Sequence, residues 1–286
     1  MPQKNGSLKT FFNVVKHATQ IQYLFFMRSI KECRSSSLGI ECGIVSGLTQ
    51  SFLFNSYDRA LYNSIVNHTS FLDPANWKGN PFSGVSPSFL QRAFSTGLYF
   101  PLEDAFRRNV SESDAVDGVL VGLVGGLFTT PFNAVKYAMW SHSAESSARP
   151  TMWRTGFELY KNGGVSRLMR GAVPTLMRDM TFGLTFSSLR HQGDGGFMVN
   201  MGAAFIATAV SSPFNYVRMK VYAPEKGETR KTSAVILEEL GREVAKRRGV
   251  RAQAMFLFSR LNVGWGAMRV GLGMGLGSQI YSTCCR

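Results

Sequence analysis

A threefold internal repeat is the feature that most restricts what this chain can fold into. The segments TTPFNAVKYAMW (129–140) and SSPFNYVRMKVY (211–222) both place Ser or Thr before Pro-Phe-Asn, and both have a cation three residues after the Asn. A third copy, QSFLFNSYDRALY (50–62), has Leu53 in place of the proline and Asp58 in place of the cation. A repeat about 80 residues long predicts three similar units that pack side by side.

A second apolar element follows each copy of the motif. These elements begin at Pro87, Pro174 and Trp265. Each unit is therefore predicted to contain a long helix, a loop with a short helix, and another long helix. We expect the six long helices at residues 38–65, 87–109, 114–142, 171–192, 195–222 and 255–284. The prolines of the two complete motifs are expected to bend their helices, because proline removes a backbone hydrogen bond.

Composition favours a membrane protein. No stretch reaches 18 uninterrupted apolar residues, and on simple hydropathy alone the chain would therefore be assigned as soluble. The segments AVDGVLVGLVGGLFTTPFNAV (115–135) and GGFMVNMGAAFIATAVSSPFNYV (195–217) are almost uncharged and rich in small residues. Small residues let helix backbones approach closely in a bilayer. We predict an all-α membrane protein with six transmembrane helices in three pseudo-symmetric repeats.

The net charge of +14 indicates an anionic partner. Anionic lipid and anionic solutes are favoured over nucleic acid, because the chain has no zinc-finger spacing and no RNA-recognition motif. Its four cysteines form no CxxC pair, and no cluster has the spacing of metal ligands or of a catalytic site. We therefore expect no enzyme activity, no metal and no cofactor; a bound anionic lipid such as cardiolipin is left open.

Taken together, these motifs resemble the mitochondrial carrier family. Its signature is Pro-x-[Asp/Glu]-x-x-[Lys/Arg] followed by a glycine-rich loop motif, repeated three times. The second and third motifs here match with one change each, and the loop motif is matched by Gly164, Leu168, Arg170 and Gly171. The resemblance extends over about residues 38–286. It implies a six-helix carrier barrel with a central cavity, usually in the mitochondrial inner membrane, that alternates between two states.

The resemblance also implies three sets of functional positions. The gate facing the matrix would comprise Asn55, Asp58, Pro131, Asn133, Lys136, Pro213, Asn215 and Arg218. The opposite gate would comprise Asp104, Arg107, His191 and Asp194. Substrate would contact Gln91, Arg178 and Arg269. Two cations at this depth would attract an anionic solute, but they could equally pair with Asp179 or with backbone carbonyls.

The chain departs from the family pattern at its gates. All three signature acids are asparagines, and Asp58 is the one acid among the signature positions, so we expect Asp58 to contact Lys136 or Arg218. An alternating transporter needs two closed states, each favoured by its own contacts. We therefore predict a degenerate carrier-fold protein that serves as a non-transporting accessory or structural subunit of an inner-membrane assembly. The alternative is a working transporter of a small anionic metabolite.

The predicted organisation has four parts. Residues 1–36 form a basic amphipathic extension, expected to bind a membrane surface or a partner. Carrier repeats follow at 37–110, 111–193 and 194–286. Residues 231–249 are predicted to form a surface helix, and residues 66–86 a loop. The expected partners are the lipid bilayer and a larger inner-membrane complex, with a small anionic solute if transport is retained and no nucleic acid.

Overall fold

The computed structural model describes residues 37–78, 80–110, 113–142, 151–190, 196–223 and 231–284, and these residues are mostly helical and contain no strand. The predicted N-terminal extension lies outside the described residues. The six long helices in this part of the chain are α1 (Ser37–Asn67), α3 (Val85–Asn109), α4 (Asp114–His142), α7 (Ala172–Arg190), α8 (Phe197–Tyr222) and α11 (Val263–Cys284). The shorter ones are α2 (Pro74–Trp77), α5 (Met152–Lys161), α6 (Gly164–Leu168), α9 (Ser233–Ala245) and α10 (Val250–Arg260).

The six long helices pack in a closed cycle, called here the helix ring. Helix α1 packs against α3, α3 against α4, α4 against α7, α7 against α8, α8 against α11, and α11 against α1. Neighbours run antiparallel: Asn55 near the end of α1 bonds Ser88 at the start of α3, and Gly118 at the start of α4 meets Gly183 near the end of α7. The signature motifs therefore lie at one end of the ring, the motif end, where α1, α4 and α8 finish. Helices α3, α7 and α11 finish at the far end.

Five of the six long helices begin and end within two residues of their predicted bounds, but the sixth prediction was wrong. The stretch 255–284 is divided between α10 and α11. Asn262 at the break has a positive φ of 49°, a left-handed conformation that ends helices. Its Nδ2 also donates to Ser64 Oγ at 2.9 Å. The surface helix expected in 231–249 is α9, whereas the segment expected to be a loop contains the four-residue helix α2.

Helices α4 and α7 approach each other at glycines, as the small-residue pattern predicted. A Cβ on Gly118 would lie 2.2 Å from the carbonyl oxygen of Gly183, and one on Gly122 would lie 2.3 Å from that of Asp179. Larger side chains would hold the two backbones apart. Two of the described helices, over Asp114–Ser141 and Phe197–Tyr222, are long and apolar enough to cross a membrane.

Each of these two helices continues through its signature proline without interruption. In α8, Pro213 leaves the carbonyl of Ala209 without its helical donor, and Ser212 Oγ donates to that oxygen at 2.7 Å. Such side-chain compensation lets proline remain inside a membrane helix. The bends at the two prolines stay a prediction.

Candidate functional site

A cavity of about 190 Å³ lies inside the helix ring, and residues of all six long helices line it. The positively charged lining residues in the described part of the chain are Arg92, Lys136, Arg178, Arg218 and Arg269. The negatively charged ones are Asp58 and Asp179. An excess of cations inside a low-dielectric wall attracts anions.

Asp58 is held between two arginines that belong to the helices on either side of it. Arg92 Nη2 lies 2.7 Å from Asp58 Oδ2, and Arg269 Nε lies 2.5 Å from Oδ1. These pairs connect α1 to both α3 and α11. Asp58 therefore forms its ion pairs with Arg92 and Arg269 and not with Lys136 or Arg218, although its charge still acts on both of those cations.

The two arginines expected to attract a solute already have carboxylate partners. Arg178 Nη1 lies 2.6 Å from Asp179 Oδ1, and its guanidinium lies 5.0 Å from the centre of the Phe182 ring. Arg269 shares the carboxylate of Asp58 and lies over the ring of Phe54 at 4.8 Å. Of the alternatives that the sequence left open, pairing with Asp179 is the one observed for Arg178.

Among the cavity cations in the described part of the chain, Lys136 and Arg218 form no ion pair with a carboxylate; Asp58 and Asp179 act on them only from a greater distance. Lys136 donates to Gln91 Oε1 and lies about 5 Å from the centres of two aromatic rings. Arg218 Nη2 donates to Asn215 Oδ1 at 2.6 Å, within its own helix. The two side chains belong to residues that are 5% and 7% exposed. Within the described residues, neither has a carboxylate at ion-pair distance.

The three signature asparagines have three different environments. Asn55 Nδ2 donates to the carbonyl oxygens of Pro81 at 2.7 Å and Ser83 at 2.9 Å. Asn215 accepts the bond from the arginine one turn later. Asn133 is fully buried, and its amide finds no hydrogen-bond partner within the described residues. The sequence repeat is therefore threefold, but the hydrogen bonding at the motif end is not.

An aromatic cluster fills the motif end of the ring. We call it the aromatic plug, and its members are Tyr62, Tyr137, Trp140 and Tyr222. The ring of Tyr137 lies 4.9 Å from that of Tyr62, 5.3 Å from that of Trp140 and 5.0 Å from that of Tyr222. The plug belongs to a larger apolar core at this end.

Sequence reasoning missed this plug, although its signal was present. Tyr62, Trp140 and Tyr222 each follow the signature asparagine of their own motif by seven residues. Seven residues are close to two helical turns, so the three rings point toward one another where their helices converge.

At the far end, the structure shows an ion pair that the sequence did not predict. Arg190 Nη1 lies 2.5 Å from Glu103 Oε2, and Ser187 donates to the other carboxylate oxygen at 2.5 Å. Glu103 lies on α3 and Arg190 on α7, so the pair passes across α4 and joins helices that are not neighbours. Arg107 pairs instead with Asp114, at 2.8 Å.

The remaining positions predicted for this gate give no structural comparison. His191, Asp194 and the side chain of Asp104 lie outside the described residues. The prediction for these positions therefore stays untested.

Part of the chain matches a known protein family. Residues 111–191, which include α4 through α7, match the family model described as "Mitochondrial carrier protein". No curated protein matches the chain significantly.

Proposed function

We propose that the chain, of which residues 111–191 match the mitochondrial carrier model, belongs to that family and is a carrier-fold membrane protein that does not transport. In this proposal it serves as an accessory or structural subunit of an assembly in the mitochondrial inner membrane. The helix ring spans the bilayer, the motif end faces the matrix, and a partner holds the ring in one conformation.

The outer surface of the ring supports a position in lipid for helices beyond the two most apolar ones. On α1, Ile44, Leu48 and Phe52 are exposed at intervals of four residues. On α11, Met268, Leu272 and Leu276 are exposed at the same interval, whereas the charged residues of the cavity point inward. An apolar stripe outside and polar groups inside is the arrangement that a bilayer favours.

The observation that carries the proposal is that contacts between helices are present at both ends of the ring in one conformation. The aromatic plug occupies the motif end while Glu103 and Arg190 are paired at the far end. An alternating carrier must break the contacts at one end as it forms those at the other. Separating the plug would also expose aromatic surface, at about 1.5–3 kcal/mol for each large side chain. This arrangement favours a fixed ring.

The bonding of Asn55 gives further support. Its amide connects α1 to the segment before α3 through Pro81 and Ser83, and to α3 itself through Ser88. A gate residue would have to leave its partner in every transport cycle. Asn55 instead has all of its bonds inside its own repeat, so movement between repeats neither makes nor breaks them.

The alternative function, transport of a small anionic metabolite, is favoured by one specific feature. The cavity contains Lys136 and Arg218, which form no direct ion pair with a carboxylate of the described residues, and cations outnumber acids in its lining. Substrate sites in membrane proteins are where uncompensated buried charges are tolerated. A transporter of this kind would need the plug to separate during each cycle.

Reconstitution distinguishes the two functions. The purified full-length chain is placed in liposomes, and the exchange of labelled phosphate, nucleotides and dicarboxylates is followed. We expect no saturable exchange, and we expect the native chain to co-migrate with a larger inner-membrane assembly at fixed stoichiometry. Saturable exchange that is lost in Lys136→Gln but retained in Arg251→Gln, an exposed cation outside the cavity, would establish transport instead.

A further inference from the structure

We propose that Lys136 and Arg218 bind a small free oxyanion, of the size and charge of phosphate, which replaces the carboxylates missing from the signature motifs. The inference deepens the proposed function, since a bound anion that stays in place would help to hold the ring in one conformation. It concerns the motif end of the cavity, not the positions that the resemblance assigned to substrate.

The distribution of charge in the cavity indicates where the anion would bind. Arg92 and Arg269 share Asp58, and Arg178 has Asp179. These contacts leave Lys136 and Arg218 as the lining cations without an acid in the described part of the chain. A buried charge without a counter-charge is unfavourable, so a mobile anion from solution would be drawn to the two that remain.

The groups around these cations suit an oxyanion. The Lys136 ammonium has three N–H donors, of which one is used by Gln91, and the Arg218 guanidinium has five, of which one is used by Asn215. Several donors thus stay free for oxygen acceptors. A guanidinium also matches the planar spacing of phosphate or carboxylate oxygens. The hydroxyls of the neighbouring Thr208 and Ser211 line the same cavity.

Size and position narrow the class of ligand. A cavity of about 190 Å³ has room for a small anion together with some water. The two cations face the interior of the ring and are almost inaccessible from outside. A lipid headgroup on the outer surface would not reach them, which favours a free solute.

The placement of the two cations gives the anion a structural effect. Lys136 lies on α4 and Arg218 on α8, and α7 separates these helices in the ring. An anion bonded to both would connect two repeats at the motif end, where the family pattern expects acid–base pairs to do so. Both cations lie next to members of the plug, Tyr137 and Tyr222, so the anion and the plug would act on the same closure.

The first experiment measures thermal unfolding of the full-length chain in detergent, with inorganic phosphate replacing chloride at constant ionic strength. We expect a saturable rise in Tm of about 5 °C at phosphate concentrations well above Kd. The rise should be largely lost in Lys136→Met and retained in Arg251→Gln, which removes one exposed cation outside the cavity. No rise in the unaltered chain, or an equal rise in Lys136→Met, would overturn the site.

A second variant restores the missing acid. Because it is expected to be more stable than the parent, a lost phosphate response in this variant cannot be attributed to misfolding. Asn215→Asp places a carboxylate beside the Arg218 guanidinium, where the amide oxygen already accepts at 2.6 Å. We expect this variant to unfold at a higher temperature than the unaltered chain in chloride, and to respond little to phosphate. A full phosphate response in Asn215→Asp would contradict the proposal. Phosphate exchange in liposomes would contradict the fixed-ring function while leaving the binding site intact.

Discussion

Asn55 donates a hydrogen bond to the carbonyl oxygen of Ser83, which an acid in the same place could not do. The same Nδ2 also donates to Pro81 O, and Oδ1 accepts from Ser88 Oγ at 3.1 Å. An ionised carboxylate has acceptors only, and it would face two carbonyl oxygens. In the first repeat, the asparagine therefore has a structural role of its own: its amide makes bonds that an ionised acid at this position could not make.

The first prediction is that restoring the signature acid at this position destabilises the protein. Asn55→Asp removes two donated bonds and buries a negative charge against two carbonyls, at a cost of at least about 2 kcal/mol. In thermal unfolding in detergent, the unaltered chain should have the highest Tm and Asn55→Asp the lowest. Asn55→Ala should lie between them, because it loses the bonds without burying a charge. An aspartate variant as stable as the parent would show that this bonding is not needed.

Helix packing between α4 and α7 gives the second prediction. Gly118→Ala adds a Cβ that would lie 2.2 Å from Gly183 O, so the two backbones must separate. Overpacking of this kind costs about 1–3 kcal/mol, seen as a lower Tm. Gly125→Ala is the matched control in the same helix, because its Cβ would meet nothing within 4 Å. Equal effects of the two substitutions would refute the close approach.

The helices could be predicted from the sequence because repetition and apolar patterning depend on local residue order. Five long helices were predicted closely, and the sixth failed at Asn262, whose left-handed conformation is supported by a bond to a distant serine. A single asparagine in an otherwise helical pattern carries no sequence signal for that contact. The resemblance to the mitochondrial carrier family followed from the motif, and residues 111–191 match the model of that family.

The partners of the charged residues could not be predicted in the same way. The motif suggested that Asp58 would contact the other two motif cations, by analogy with pairs between repeats. Its actual partners, Arg92 and Arg269, lie on the two flanking helices. Which cation pairs with Asp58 depends on which side chains reach its carboxylate in the folded structure. The pair of Glu103 and Arg190 was missed for the same reason.

A third prediction concerns the far-end pair of Glu103 and Arg190. Glu103 is almost fully buried and Arg190 about three-quarters buried, so the coupling between them should exceed that of a surface pair. A double-mutant cycle with Glu103→Gln, Arg190→Gln and the double variant should give a coupling of about 1–3 kcal/mol. The cycle can be measured by unfolding in detergent. A coupling near zero would mean that this contact does not hold the far end closed.

The fourth prediction is a dependence of stability on pH that involves His68, which follows α1. Partial burial and the nearby cations Lys220 and Arg260 lower the pKa of His68 from 6.5 to about 4. Between pH 6.5 and pH 4, the unfolded chain therefore carries a proton on this residue and the folded chain does not. Because protonation favours the unfolded chain, stability should fall as pH decreases from about 6.5 to about 4. His68→Asn, which tolerates the left-handed backbone at this position, should reduce the fall in Tm over this range.

The relevant quantity is the difference between the parent and His68→Asn, because that difference isolates the contribution of this residue. The Nζ of Lys220 lies 2.8 Å from His68 Nε2, which suits a neutral ring that accepts a bond. Identical pH profiles for the two proteins would show that His68 does not titrate differently in the folded state.

The last prediction concerns Asp58, the acid that joins three helices. Asp58→Asn keeps the shape of the side chain but leaves Arg92 and Arg269 without a counter-charge inside the ring. Removing one partner of a buried pair costs about 3–5 kcal/mol, because the remaining charges are left buried. We therefore expect a large fall in Tm in detergent. Glu158→Gln is the matched control, since its pair with Arg154 is exposed and should contribute less than about 0.5 kcal/mol. Equal stability of the two variants would mean that the Asp58 contacts do not hold the motif end together.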